Sequence, residues 1–229
     1  MFRRRADPVA ARCVPFAIFV GMLVLGSGIQ AAAGPGIESE SARAVLLARG
    51  VVVGLALAWY WPAYTELHGP TMRWSGHHVA LAVIAGTAVF LAWIGFDQDW
   101  AVFSRQAGYA PLDRDGALDW TGVALRLAGL ALVVPVMEEL FWRSFLLRWI
   151  TRQDFMSLEP RRASLQAIVV STALFALEHE RWLAGAMAGA AYAFVYMRTG
   201  NLWMPILAHA VTNGILGSWI VATGNWQYW

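Results

Sequence analysis

The sequence predicts an all-α protein, built as a polytopic bundle of transmembrane helices. Of its 229 residues, 59% are hydrophobic and 14% are charged, whereas soluble domains carry about 25% charged residues. Mean hydropathy is +0.51, and a chain of this size has too little interior to hide so much apolar surface. Lipid is therefore the expected solvent for most of the chain. A disordered chain, a coiled coil and a disulfide scaffold are excluded, the last because Cys13 is the only cysteine.

Seven apolar segments predict about seven membrane spans, each of which needs about 20 residues as a helix. They are residues 14–33, 45–61, 78–96, 118–150, 163–177, 182–197 and 203–222. The fourth would be about 50 Å long as one helix, more than the roughly 30 Å of a hydrocarbon core. Pro135 lies inside it and is expected to kink or break the helix, so an eighth span remains open. Two glycine pairs have the spacing that lets helices approach closely: Gly50 with Gly54, and Gly185 with Gly189.

The distribution of charge predicts an integral protein of the cytoplasmic membrane with its N-terminus inside and its C-terminus outside. All 17 basic residues are arginine, and the loop over residues 97–119 holds five aspartates against two arginines. The opposite side is arginine-rich, as cytoplasmic loops are. Its arginines are Arg3, Arg4, Arg5, Arg12, Arg73, Arg198 and those of the loop over residues 148–162.

The first segment also has features of a cleavable signal peptide. It begins after a run of arginines and ends on Ala31-Ala32-Ala33, as such peptides do. Its apolar run is long for a signal peptide, so a first span is the preferred interpretation. Removal of this segment would not change the orientation of the rest.

Polar groups inside the apolar segments are the informative anomaly, because each charged group costs about 2.5–3.5 kcal/mol at the bilayer centre. Glu139 and Arg143 are four residues apart and meet on one helical face, so an ion pair with a structural role is expected. Glu138 points about 100° away from Glu139 and is left free for chemistry. Two further pairs repeat the four-residue spacing on other segments: Phe175 with His179, and His209 with Asn213.

Each polar group taken alone has a structural interpretation, since buried histidines are often hydrogen-bonded core groups and membrane asparagines often join helices.

The residue patterns that other classes of intramembrane protease need are incomplete in this sequence. The pattern His-Glu-x-x-His starts at His179, but Leu183 occupies its second histidine position. Every aspartate lies in a loop or near a segment end, and neither Ser27 nor Ser218 has an evident base. Glutamate and histidine chemistry remains.

The three clusters resemble the motifs of the CAAX-protease and bacteriocin-processing family of intramembrane endopeptidases. The family's marks are E-E-x-x-x-R, F-x-x-x-H and H-x-x-x-N or D, and all three occur here in order inside apolar segments. The resemblance covers about residues 120–222. Residues 118–229 are therefore interpreted as the catalytic membrane core, and residues 1–117 as transmembrane helices without a motif. The stretch 177–185 and the tail 222–229 also look like the branch found beside exosortase protein-sorting systems.

The resemblance implies a glutamate-dependent peptide hydrolase. Glu138 with His179 would activate water, and His209 with Asn213 would donate to the developing oxyanion. Glu139, Arg143 and Phe175 would support these residues. Substrates would be membrane proteins or lipid-anchored peptides, with a link to protein sorting, and no nucleic acid is expected. The alternative is a non-catalytic membrane scaffold or immunity protein, in which the polar groups only join helices.

A metal-free site is the preferred expectation, with one zinc ion held by Glu138, His179 and His209 as the alternative. Zinc sites of this kind use three protein ligands and water, and a ligating histidine nearly always has a carboxylate or carbonyl that orients it. No carboxylate is expected to flank His209. The three motif positions also lie at unequal depths, which agree only if helices near residues 148–162 protrude or the connection over residues 199–204 dips inward.

Overall fold

The computed structural model describes residues 6–34, 39–68, 74–105, 108, 110–112 and 115–228. Over these residues the fold is all-helical, without a β-strand, as the composition predicts. Seven long helices follow one another in this part of the chain, each close to a predicted apolar segment. They are α1 Pro8–Ala33, α2 Glu40–Tyr60, α3 Gly76–Gly95, α4 Trp120–Thr151, α5 Leu165–Leu177, α6 Trp182–Thr199 and α7 Trp203–Thr223.

Five of these helices are long and apolar enough to cross a membrane, namely α1, α2, α3, α4 and α7. Helix α5 has 13 residues and is shorter than a full span. The exact number of spans and the orientation of the termini therefore stay predictions. Arg3, Arg4, Arg5 and Arg73, on which the orientation partly depends, lie outside the described residues.

Short polar side chains determine where several helices begin. Ser164 accepts a hydrogen bond from the backbone of Ala167 at the start of α5, and Asp119 accepts one from Gly122 at the start of α4. Asp119 also forms an ion pair with Arg43 of α2. The backbone bond from Gly122, followed by the guanidinium of Arg43, holds the pKa of the Asp119 carboxyl below its usual value. The polar end of α4 is thus capped and tied to α2.

Helix α4 continues through Pro135 and does not break there. It contains two π-helical turns, Gly129–Val133 and Leu140–Leu146. In the first, the backbone N–H of Val134 bonds to the carbonyl of Gly129, five residues back. The same spacing would pair residue 135 with the carbonyl of Leu130, but proline has no N–H to donate. The expected break is thus absorbed as a π turn, and no eighth helix is formed in this segment.

Close helix contacts confirm the predicted role of the glycine pairs. Helix α2 meets α4 where a methyl group at Gly50 would lie 3.3 Å from the Cα of Gly129. Helix α6 meets α5 where a methyl at Gly185 would lie 3.2 Å from the Cα of Ala176. The first contact brings α2 against α4, which carries the first motif, and the second brings α6 against α5, which carries Phe175.

The connection between α6 and α7 is buried within the bundle. Thr199, Asn201, Leu202 and Met204 are all shielded from solvent. The backbone N–H of Trp203 bonds to the Asn201 side chain at 3.0 Å, which starts α7. A buried connection is what the second alternative for the depth of His209 requires.

Candidate active site

Glu139 joins the first motif to the third. Its side chain is fully buried, and its Oε2 lies 3.1 Å from Arg143 Nε, which confirms the expected ion pair. Its Oε1 lies 3.0 Å from His209 Nδ1 on α7. The Arg143 guanidinium also donates to the carbonyl of Gly189 on α6 at 3.2 Å. One carboxylate and one guanidinium therefore hold three helices together.

The Glu139 contact determines the proton position on His209. A carboxylate accepts hydrogen bonds, so Nδ1 of His209 carries the hydrogen. Nε2 of the neutral ring is then an acceptor, and it becomes a donor only when the ring is protonated. His209 can thus serve a developing oxyanion as an imidazolium, whereas a neutral ring in this tautomer cannot.

A chain of hydroxyl groups fixes the other side of His209. The ring of Tyr192 on α6 stacks on the His209 ring with centroids 4.8 Å apart. The Tyr192 hydroxyl donates to Thr212 Oγ1 at 2.7 Å, and Thr212 in turn lies 2.8 Å from the carbonyl of Gly86 on α3. These contacts anchor the third motif to α3 and α6.

Phe175 and His179 bring the second motif to the same place. The Phe175 ring lies 4.6 Å from the His179 ring and 6.3 Å from the His209 ring, and the Arg143 guanidinium lies 4.6 Å above it. His179 Nδ1 is 2.7 Å from the carbonyl of Phe175 and must donate to it. Nε2 of a neutral His179 is therefore an acceptor. Trp93 on α3 closes the edge of this ring at 5.3 Å.

Glu138 is buried beside this network but does not take part in its hydrogen bonds. Its side chain is nearly inaccessible, and its Oε2 has no hydrogen-bond partner in the described part of the chain. Its carboxylate is repelled by the nearby acids Glu178 and Glu139 and attracted by the nearby bases Arg143 and Arg49. No direct hydrogen bond joins it to His179 among the described contacts. Both glutamates have an Oε2 without a hydrogen-bond partner in this part of the chain, but only Glu139 has ion-pair contacts there, with Arg143 and His209.

Asn213 lies one helical turn beyond His209 and is bound to α4. Its Nδ2 donates to the carbonyl of Leu130 at 2.9 Å. This is the carbonyl that the missing N–H of Pro135 leaves without a partner in the first π turn. One amide hydrogen and the amide oxygen of Asn213 remain for other contacts.

The metal-free site and the alternative zinc site at Glu138, His179 and His209 both stay predictions. Among the described residues, no three His, Cys, Asp or Glu side chains form a group that could hold a metal ion. The expectation that no carboxylate flanks His209 was wrong, because Glu139 lies on α4, far from His209 in sequence. The lack of an orienting carboxylate is therefore no longer an argument against a metal at His209.

Three residues at the site were missed by sequence reasoning, namely Tyr192, Thr212 and Trp93. Tyrosine and tryptophan in membrane helices are usually interfacial, so Tyr192 and Trp93 gave no signal. Thr212 lies between His209 and Asn213 in the third motif, which is the one clue that the sequence offered. The roles assigned to Glu138, His179, His209 and Asn213 in catalysis stay predictions.

Comparison with known proteins supports the same assignment. Residues 120–215 match the family model described as Rce1-like, type II CAAX prenyl endopeptidase. The matched region contains all three motifs and confirms the resemblance that they indicated; it does not confirm the exosortase-associated branch. Together with the apolar helices, the match supports an integral membrane protein with CAAX-type intramembrane endopeptidase activity. No curated protein and no solved structure has significant similarity to the chain.

Proposed function

We propose that this chain, whose residues 120–215 match the Rce1-like family model, is a glutamate-type intramembrane endopeptidase. The observation that carries the proposal is the difference between two adjacent glutamates. Glu139 Oε1 contacts His209 Nδ1 and its Oε2 forms an ion pair with Arg143 Nε, although that oxygen has no hydrogen bond of good geometry. Glu138 is also buried, but its Oε2 has no hydrogen-bond partner among the described residues, and none of their ion pairs includes it. A group that serves only to join helices would have a partner, because a buried unpaired carboxylate is costly.

In the proposed reaction, Glu138 takes a proton from a water molecule that His179 Nε2 also contacts. The hydroxide attacks the carbonyl carbon of the scissile peptide bond, and the carbonyl oxygen becomes an oxyanion. The free amide hydrogen of Asn213 and a protonated His209 donate to that oxyanion. The tetrahedral intermediate then collapses: the C–N bond breaks, the carbonyl re-forms, and Glu138 gives its proton to the leaving amine, so no metal ion is needed. Glu139 and Arg143 hold the three helices in place.

The proposed substrates are membrane proteins or lipid-anchored peptides, because the site is built from apolar helices. The peptide bond would enter between helices of the bundle. A role beside a protein-sorting system of the exosortase type is part of the proposal and rests on the stretches 177–185 and 222–229.

The first prediction is that Glu138→Gln abolishes cleavage without harming the fold. The substitution keeps the shape of the side chain and removes the base, so the cleavage rate of a co-expressed substrate should fall by about 10²–10⁴-fold. Expression, elution in size exclusion and melting temperature should match wild type, because Glu138 Oε2 has no hydrogen bond to lose among the described residues. Cleavage at the wild-type rate would contradict the proposal.

Glu139→Gln is the matched control, because it makes the same chemical change one residue away. It leaves the buried guanidinium of Arg143 without its counter-ion and His209 Nδ1 without a charged acceptor. Breaking such a pair costs about 3–5 kcal/mol. At about 2–4 °C per kcal/mol, the melting temperature should fall by roughly 6–20 °C. If Glu138→Gln and Glu139→Gln both lower the melting temperature, and Glu138→Gln does not lower cleavage more than Glu139→Gln does, the two glutamates only join helices. The non-catalytic scaffold is then the better interpretation.

A further inference from the structure

A buried charge network ties α1 to the helix that carries the first motif. Arg12 of α1 is 1% exposed, although it is a cation in an apolar bundle. Its Nη2 lies 2.5 Å from Glu66 Oε2, and its Nε donates to Ser144 Oγ at 3.0 Å. Glu66 belongs to the connection after α2, and Ser144 belongs to the second π turn of α4. Three distant stretches of the chain therefore meet at one guanidinium.

The surroundings of Arg12 are complementary to a guanidinium. Its Nη1 donates to the carbonyl of Pro8 at 2.8 Å, and the Ser144 hydroxyl donates to Glu66 Oε1. The hydroxyl of Tyr64 donates to the carbonyl of Ala11 at 2.8 Å, beside the same ion pair. A buried cation is tolerated only where an opposite charge and further hydrogen bonds compensate it. Removal of any one partner would leave an unpaired polar group in the bundle.

The contact at Ser144 falls where it can affect the site. A π turn contains one residue more than an α-helical turn and so rotates the residues beyond it by about 100° relative to those before it. Ser144 directly follows Arg143, whose Nε holds Glu139 at 3.1 Å. A change in the register of this turn would move Arg143 away from Glu139 and alter the direction of Glu138.

We propose that Arg12, Glu66 and Ser144 are positioning residues, which hold the second π turn of α4 in the register that the first motif needs. Helix α1 is then a working part of the protein, because its removal would leave Glu66 and Ser144 without Arg12. The catalytic consequence rests on the proposed endopeptidase function. The docking of α1 onto α4 does not depend on the proposed function, and a separate measurement tests it.

Cys13 provides that measurement, because it is the only cysteine of the chain and follows Arg12 directly. Unfolded purified protein should react with one maleimide dye per chain, whereas a chain without α1 would have no thiol. In the folded protein Cys13 is half-buried, and Arg12→Gln should accelerate its labelling several-fold by loosening α1. A missing thiol signal, or a labelling rate unaffected by Arg12→Gln, overturns the docking of α1.

The catalytic part is tested with Ser144→Ala, which removes one hydroxyl and leaves the Arg12–Glu66 ion pair. Misplacement of catalytic groups by about 1 Å can cost about 10²-fold in rate, so kcat should fall by that order with KM unchanged. Ser171→Ala is the matched control, since Ser171 is a buried serine whose hydrogen bond among the described residues stays within its own helix, to the carbonyl of Ile168. Ser144→Thr keeps the hydroxyl and should restore kcat.

The outcomes separate the two proposals. Because Arg12 acts through Ser144, combining Arg12→Gln with Ser144→Ala should lower kcat no further than the more severe single variant. If Glu138→Gln abolishes cleavage while Ser144→Ala keeps the wild-type kcat, the positioning role is overturned and the endopeptidase stands. If Glu138→Gln leaves cleavage intact, the proposed endopeptidase function is overturned. The labelling rate of Cys13 then tests only whether Arg12 docks α1 onto α4. Variants are compared only when they elute as wild type in size exclusion.

Discussion

Asn213→Ala, with and without Pro135→Ala, separates the structural from the chemical role of the third motif. Asn213 donates to the carbonyl of Leu130 at 2.9 Å, where the π-turn spacing would otherwise require an N–H from residue 135. Asn213→Ala leaves that carbonyl without a partner in a bundle that lipid surrounds. An unsatisfied buried carbonyl costs about 1–3 kcal/mol, which corresponds to a melting temperature lower by roughly 2–12 °C.

Pro135→Ala supplies the missing N–H and should restore most of this stability in the double variant. Cleavage should not return, because the removal of one oxyanion donor costs about 10²–10³-fold in kcat. Melting is followed by size exclusion after heating, and cleavage by the co-expressed substrate. A double variant as unstable as Asn213→Ala would refute the pairing of Pro135 with Asn213. Full recovery of cleavage would refute the role of Asn213 as an oxyanion donor.

Two further predictions concern helix packing and metal. Gly86→Ala should lower both melting temperature and cleavage, because its methyl group would lie 2.2 Å from the carbonyl oxygen of Ala208 and push α3 from α7. Gly21→Ala, which has nothing within 4 Å, should leave both unchanged, and equal effects of the two variants would contradict this. Purified protein should keep its cleavage activity in strong chelator. One zinc per chain by elemental analysis, with activity lost to chelator and restored by zinc, would contradict the metal-free mechanism.

The helices themselves could be predicted because apolar composition and end signals act locally. All seven predicted segments lie within or close to helices α1 to α7, and the i,i+4 spacing of Glu139 and Arg143 gave their ion pair. The sequence predicted that Pro135 disturbs its helix, but not that the disturbance takes the form of a π turn. A proline removes a donor in any helix, but whether the helix breaks or widens depends on a partner for the freed carbonyl. That partner is Asn213, which is 83 residues from Leu130, the residue whose carbonyl is freed.

Contacts between helices account for most of what the sequence could not predict. The pairing of Glu139 with His209 joins residues 70 positions apart, and no local pattern determines which helix faces lie together. The same is true of Tyr192 and Thr212, whose hydroxyl groups meet across α6 and α7. A single Arg12 near the N-terminus was interpreted as a topology signal, and its burial against Glu66 depends on the fold of the whole N-terminal region.

The two π turns explain why α4 can carry its two glutamates at a defined position. The α-helical stretch Val134–Glu139 lies between the turns Gly129–Val133 and Leu140–Leu146. Asn213 of α7 contacts the first turn at Leu130, and Arg12 of α1 contacts the second at Ser144. Such turns are rare and frequently occur at functional sites. In a regular helix, any shift or rotation of α4 as a whole would also move the two glutamates. Here α7 holds the turn before them and α1 holds the turn after them.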